Sequence, residues 1–74
     1  MRLQCSADVA SFRIVRDGHV FYEGPAVRAN TNSRPVFVPY DENLQLEVEL
    51  QSSDVLYSEF IVPRGRNKDL FVKP

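Results

Sequence analysis

The fold of this chain is decided by residues 44 to 51, which read Leu44-Gln45-Leu46-Glu47-Val48-Glu49-Leu50-Gln51. Every even-numbered position in this stretch is apolar, and every odd-numbered position is polar or acidic. Side chains on a β-strand alternate between its two faces, whereas a helix would spread the four apolar residues around its axis. The stretch therefore predicts a strand with one buried and one solvated face, which is typical of an antiparallel sheet covering a core.

Length and composition restrict the class of protein. The chain has 74 residues, of which 43% are hydrophobic and 26% are charged. These values are typical of a folded globular protein and too apolar for a disordered segment. We expect a single β domain over residues 1 to 74. A domain this small has little material for a catalytic cleft of ~300 Å³ or more, so a non-enzyme is expected.

The single cysteine, Cys5, cannot form an internal disulfide. Small secreted domains usually depend on disulfides, so we expect a reducing compartment, namely the cytoplasm or a particle assembled there. The first residues lack the apolar core of a signal peptide. No stretch approaches the ~18 apolar residues of a membrane helix, and no membrane contact is expected.

Two features predict strands near the N-terminus. Apolar and polar residues alternate over residues 1 to 9, which predicts an opening strand. The dipeptide Asp17-Gly18 readily adopts the two positive φ angles of a tight type I′ turn. We therefore expect a hairpin whose strands are residues 11 to 16 and 19 to 22.

Turn signals break the rest of the chain into short strands. Residues 36 to 38 lie between Pro35 and Pro39, neither of which donates a backbone hydrogen bond, so we expect this strand at a sheet edge. Residues 55 to 62 carry apolar side chains on both faces, which predicts a central strand. Two shorter strands are expected at residues 26 to 29 and 70 to 72.

Six or seven short strands, with turn signals about every ten residues, predict an all-β fold. We expect a small antiparallel β-sandwich of the immunoglobulin-like or prealbumin-like type. A small SH3-like or OB-like barrel is the alternative. No segment predicts an amphipathic helix.

Side chains that carry chemistry are few. One His and one Cys cannot supply the four His or Cys ligands of a structural zinc site, so no metal and no cofactor is expected. His19 follows the Asp17-Gly18 turn, where we expect an exposed side chain without a catalytic role. Cys5 shares a strand face with Leu3, and we expect it to fill the core.

Charge is segregated along the chain, although the formal net charge is only −1. Residues 1 to 40 carry five basic and three acidic side chains. Residues 41 to 62 carry six acidic side chains and no basic one, and residues 63 to 74 carry four basic side chains and one acidic side chain. Glu47 and Glu49 share a strand face about 7 Å apart, which we interpret as a solvated surface or a contact for a basic partner. Either the acidic strands and the basic loop of residues 64 to 68 pair within the fold, or they form opposite patches that steer a partner.

A basic loop, Arg64-Gly65-Arg66-Asn67-Lys68, is the second candidate contact surface. Arginine favours bidentate recognition and interfaces. Edge pairing at residues 36 to 38 or 70 to 72 is a third mode of contact. The predicted partner-binding residues are therefore Arg64, Arg66, Lys68, Glu47, Glu49, Val36, Phe37 and Tyr40.

These features favour a non-catalytic protein-interaction module. We expect a small subunit of a larger assembly, such as a phage or secretion component, or an adaptor or inhibitor of a larger partner. Self-association is a variant, because acidic and basic patches on one chain can meet head to tail.

The alternative is a small barrel that binds nucleic acid. Its surface would use Tyr22, Phe37 and Tyr40 for stacking. The arginines available to it are Arg13, Arg16, Arg28 and Arg34. A sequence pI of about 5.7 is low for such a protein and makes this the less favoured hypothesis.

Overall fold

The protein consists of six β-strands and no helix in a computed structural model that describes residues 1 to 74. This confirms the predicted all-β class and number of strands. In chain order, the strands are β1 (Arg2–Cys5), β2 (Val9–Arg16), β3 (His19–Gly24), β4 (Leu44–Leu50), β5 (Val55–Phe60) and β6 (Asp69–Val72).

Four strands form one antiparallel sheet in the order β3-β2-β4-β5. β4 is an inner strand of this sheet, and the alternation over residues 44 to 51 is confirmed as one buried face. The buried side chains of β4 are Leu44, Leu46, Val48 and Leu50.

β2 and β3 form the predicted hairpin. Asp17 has a φ of 51° and Gly18 a φ of 77°, the two positive angles that a type I′ turn requires. The register between the two strands shifts between Ile14 and Val15. Such a bulge increases the local twist of the sheet, so the β3 edge is less regular than the β5 edge.

The opening segment is divided between two sheets, whereas the sequence predicts one strand over residues 1 to 9. β1 ends at Cys5, and β2 begins at Val9 in the four-stranded sheet. The turn between them is held by Asp8, whose carbonyl accepts a hydrogen bond from the Gln51 N–H at 3.0 Å. Cys5 and Val9 belong to the same core. Apolar and polar residues therefore keep alternating across the turn, and the pattern does not indicate that one strand ends and another begins.

β1 and β6 form a separate two-stranded sheet, and their pairing is parallel, whereas antiparallel pairing is predicted throughout. Arg2 and Asp69 are register partners joined by an ion pair, with 3.0 Å between Nε and Oδ1. Parallel strands need a crossover connection, and here all the chain between Cys5 and Asp69 supplies it. No local pattern marks a connection of that length.

One core of 13 buried residues joins the two sheets. Leu3 and Cys5 of β1 have no exposed surface, which confirms the predicted burial of Cys5. Phe12 and Ile14 of β2 pack in the same cluster as the apolar residues of β4. The two sheets therefore share one hydrophobic core.

The strand predicted over residues 26 to 29 is reduced to a single bridge. Val27 and Val9 exchange two backbone hydrogen bonds, with N to O distances of 2.9 and 3.0 Å. The chain turns directly afterwards, because the Thr31 N–H donates to the Arg28 carbonyl at 3.2 Å.

The strand predicted over residues 36 to 38 is wrong. Val36 is buried. Its N–H donates to the Met1 carbonyl at 2.7 Å, and its carbonyl accepts a hydrogen bond from the Met1 amino group at 2.6 Å. Pro35 and Pro39 lack an N–H group, so the ladder cannot continue on either side. The segment lies along β1 without forming a regular strand.

β5 lies at an edge of the four-stranded sheet, so the prediction of a central strand over residues 55 to 62 is wrong. The assignment of faces is right, because Phe60 is buried in the core while Val55 and Tyr57, on the other side, are 41% and 74% exposed. Apolar residues on both faces of this segment predict burial of both faces, but the face that carries Val55 and Tyr57 is exposed.

Candidate interaction surfaces

The outer face of the four-stranded sheet is acidic. The strand register places Arg13 of β2 between Glu23 of β3 and Glu47 of β4. Glu49 and Glu59 share this side of the sheet, because their register partners are Ser11 and Gln45. Four carboxylates and one guanidinium give a formal charge of −3. We call this surface the acidic face: Glu23, Glu47, Glu49 and Glu59.

One ion pair partly neutralises the acidic face. The Nε of Arg13 lies 3.3 Å from Oε2 of Glu47. The other three carboxylates, those of Glu23, Glu49 and Glu59, form none of the four ion pairs in the structure. The predicted contact residues Glu47 and Glu49 are therefore neighbours on one face, and of the two only Glu47 forms an ion pair.

The outer edge of β5 is uncovered. No backbone hydrogen bond joins β5 to any segment other than β4. Its register with β4 is regular, and it contains neither proline nor lysine, the residues that commonly block an edge. Ile61, which follows the strand, is exposed like Val55 and Tyr57. Regular backbone and exposed apolar side chains together make this edge suitable for pairing with another strand.

The basic loop is only partly engaged within the fold. The Arg64 N–H donates to Oδ1 of Asp41 at 3.3 Å, and its side-chain Nε lies 3.5 Å from Oδ2. Arg66 and Lys68 form no ion pair. The predicted pairing of the basic loop with acidic residues within the fold thus applies to Arg64 only. No ion pair joins the basic loop to the acidic face.

The three predicted contact residues between Pro35 and Asp41 differ in exposure. Val36 is buried, so its side chain is not available at the surface. Phe37 is 93% exposed and Tyr40 43% exposed. Any contact made by this segment therefore depends on these two aromatic rings.

The predicted contact residues lie on three parts of the structure, two of which are in contact with each other. Glu47 and Glu49 lie on the acidic face, and Arg64, Arg66 and Lys68 lie on the basic loop. Phe37 and Tyr40 lie on the connection to β4, which the ion pair between Asp41 and Arg64 joins to the basic loop. The uncovered edge of β5 was missed, because its apolar outer face was interpreted as buried.

The residues able to carry chemistry are dispersed. His19 is exposed at the hairpin turn, while Cys5 lies in the core. No group of three His, Cys, Asp or Glu side chains is arranged to hold a metal ion. Burial lowers the pKa of the Met1 amino group below its ordinary value of 8.0, and the carboxylate of Asp69 partly offsets this shift. The structure has no helix long and apolar enough to span a bilayer.

Comparisons with models of protein families, with curated proteins and with solved structures find no match to this chain.

Proposed function

We propose that this chain is a non-catalytic protein-interaction module that binds an extended, basic segment of a protein partner along the edge of β5. It would act as a small subunit of a larger assembly, or as an adaptor or inhibitor of a larger partner. The observation that carries the proposal is the uncovered, regular edge of β5 beside the acidic face.

Backbone geometry supports strand addition at this edge. A sheet-edge strand presents a row of unpaired N–H and C=O groups, and an added strand satisfies them with main-chain hydrogen bonds. Its side chains on the outer side would lie beside Val55, Tyr57 and Glu59, because residues on adjacent strands share a face. Val55 and Tyr57 offer apolar contact, and Glu59 offers a charge partner.

The charge of the acidic face indicates the chemistry of the partner. Three of its carboxylates have no ion pair, and a lysine or arginine on an added strand would approach Glu59 directly and Glu49 more distantly. Charge complementarity of this kind raises association rates and disfavours acidic competitors. The favoured occupant is thus a strand that alternates apolar and basic residues.

The nucleic-acid alternative has less support. Of the four arginines proposed for it, Arg13 and Arg16 are each paired with a glutamate, so only Arg28 and Arg34 are free of an ion pair. Acidic side chains across the broad face of the sheet would repel a phosphate backbone.

The type of fold and the cellular location are two further parts of the same proposal. The shared core of the two sheets favours a small immunoglobulin-like or prealbumin-like sandwich over a barrel. The lone, buried cysteine favours the cytoplasm, or a particle assembled there, as the location.

Affinity capture from the native host, followed by hydrogen exchange on the purified complex, tests the proposal. The intact chain is compared with a Glu49→Lys, Glu59→Lys double variant and with a matched Arg64→Glu, Arg66→Glu double variant. We expect the first to bind the captured partner at least about tenfold more weakly and the second to bind it normally. The outward-pointing amide groups of β5 should exchange more slowly in the complex.

The opposite pattern of results would reject this surface. If the partner depends on Arg64 and Arg66, or if β5 amides exchange at the same rate with and without it, the edge is not the contact. A chain that captures no partner sensitive to Glu49→Lys with Glu59→Lys also contradicts the proposal.

A further inference from the structure

A groove with two unpaired arginines is lined by no acidic-face glutamate and by no residue of β5. It has a volume of about 620 Å³ and is formed where the chain leaves β3 and passes through residues 28 to 34. Sites for small ligands commonly occupy ~300 to 1,000 Å³. The groove is therefore large enough for a ring-sized ligand with an attached polar group.

The charge of this groove is positive in a chain that is negative overall. Arg28 and Arg34 both line it, and none of its ten lining residues is acidic. A candidate counter-charge is Asp8, which lines an adjoining cavity together with Arg28. Its Oδ1 accepts a hydrogen bond from the Ala29 N–H at 2.9 Å, and it forms no ion pair with Arg28.

The two arginines differ in this respect from most others in the chain. Four of the seven arginines form ion pairs with carboxylates: Arg2, Arg13, Arg16 and Arg64. The three without one are Arg28, Arg34 and Arg66, and two of these three share the groove. Their guanidinium forks remain free to bind an oxyanion, which accepts two parallel hydrogen bonds from each.

The wall of the groove is aromatic. Phe12 and Tyr22 both line it, with ring centroids 5.9 Å apart and planes tilted by 44°. Tyr22 is half-buried, and its hydroxyl forms no hydrogen bond with the rest of the protein. An aromatic wall beside free donors suits a ligand that has a flat apolar part and an anionic part.

The loop that carries the arginines is anchored to β1. The Asn30 N–H donates to the Cys5 carbonyl, and the Ser33 N–H donates to the Leu3 carbonyl, both at 2.7 Å. In return, the Leu3 N–H donates to Oγ of Ser33 at 2.8 Å. The backbone of the loop is thus positioned before any ligand binds, which reduces the entropy lost on binding.

We propose that this groove binds a small ligand that carries an oxyanion, phosphate or carboxylate, next to a flat ring. Arg28 and Arg34 bind the oxyanion, and the ring packs against the half-buried Tyr22, whose ring rests on Phe12 in the core. This site is independent of the protein contact proposed above, because the groove contains no residue of β5 and none of the four acidic-face glutamates.

Titration of the ¹⁵N-labelled protein, followed by NMR, tests the site with four probes. Phenyl phosphate and phenylacetate carry a ring and an oxyanion, inorganic phosphate lacks the ring, and benzyl alcohol lacks the charge. We expect saturable shifts of the amide signals of Val27 and residues 31 to 33 with a ring-bearing anion. At least one of these two should bind at least about tenfold more tightly than both inorganic phosphate and benzyl alcohol, since each of those loses one set of contacts. The tighter of the two ring-bearing anions identifies the oxyanion.

Arginine variants separate this site from general attraction of anions. Arg28→Gln and Arg34→Gln should each weaken binding of the tighter probe at least about tenfold, because a charge-assisted hydrogen bond is lost. The matched control is Arg66→Gln, which removes an unpaired arginine outside the groove and should leave the affinity unchanged. All three side chains are exposed, so the folded spectrum should persist.

The proposal is overturned if no probe gives saturable, localised shifts. It is also overturned if Arg66→Gln weakens binding as much as Arg28→Gln does, since the anion would then respond only to overall charge. Equal affinity for benzyl alcohol and for the tighter of the two ring-bearing anions would likewise exclude a role for the arginines.

Discussion

Arg13 and Glu47 are register partners on β2 and β4, and their ion pair places the one positive charge within the acidic face. Arg13→Gln removes this charge and leaves the neighbouring carboxylates to repel one another. We expect the free energy of unfolding to fall by up to about 1 kcal/mol at low salt, because both side chains are partly solvated. Concentrated salt screens the repulsion, so urea titrations at high salt should bring variant and parent together.

Arg66→Gln is the matched control for that prediction. It changes the net charge by the same amount, but Arg66 has no ion pair and lies outside the sheet. A stability loss that persists at high salt in Arg13→Gln would show that packing of the Arg13 side chain, and not charge, is responsible.

Gly24 is required because its Cα faces the ring of Phe12. A Cβ at this position would overlap the ring, which belongs to the core. We expect Gly24→Ala to lower the free energy of unfolding by ~1 to 3 kcal/mol through overpacking. Urea denaturation measures this loss. In a Phe12→Leu background the added methyl group should be better tolerated, so the two substitutions should not be additive.

Leu46 is a central residue of the core, with Ile14 and Ser58 as register partners on its two sides. Leu46→Ala should lower the free energy of unfolding by ~2 to 5 kcal/mol, through lost burial and the resulting cavity. A domain of this length has only ~4 to 11 kcal/mol in total, so circular dichroism should show a large loss of thermal stability. Val55→Ala, at an exposed position, should change it by less than about 1 kcal/mol.

The Cys5 thiol is fully buried and should react with a thiol reagent only when the chain opens. We expect labelling in native buffer to be far slower than that of a free thiol and to accelerate with urea in parallel with unfolding. Rapid labelling of the native protein would contradict the core position of β1. Cys5→Ser should lower the free energy of unfolding by ~1 to 3 kcal/mol, since it buries a polar hydroxyl within an apolar core.

The amino group of Met1 predicts a pH dependence. Burial lowers its pKa in the folded chain below the ordinary 8.0, so between the two pKa values the unfolded chain binds more protons than the folded chain does. Stability should therefore rise with pH through this window and level off above it. Thermal unfolding across the window measures the rise. An acetylated amino terminus, which keeps one N–H but cannot titrate, should lack it.

The parts of the fold that were predicted are those decided by local geometry. The Asp17-Gly18 turn follows from two residues that tolerate positive φ, and the burial of Cys5 follows from the alternation of the first residues. The contact residues Glu47 and Glu49 were likewise placed on one face by strand periodicity. None of these inferences requires knowledge of which strands become neighbours.

The parts that were missed depend on which strands become neighbours. The pairing of β1 with β6, the edge position of β5 and the groove at Arg28 and Arg34 each join segments that are distant in sequence or leave one side open. A pattern of apolar residues reports which face of a strand is hydrophobic, but not whether another strand covers its edge. That is why residues 55 to 62 suggested a central strand.

The amino-acid sequence alone thus determined the all-β class, the hairpin at Asp17-Gly18 and the buried face of residues 44 to 51, because each follows from φ preferences or from the two-residue period of a strand. Only the tertiary structure decided that β5 is an open edge, that the acidic face keeps three unpaired carboxylates, and that two arginines share an aromatic groove. Those properties depend on contacts between segments far apart in the chain, which the packing of the shared core selects.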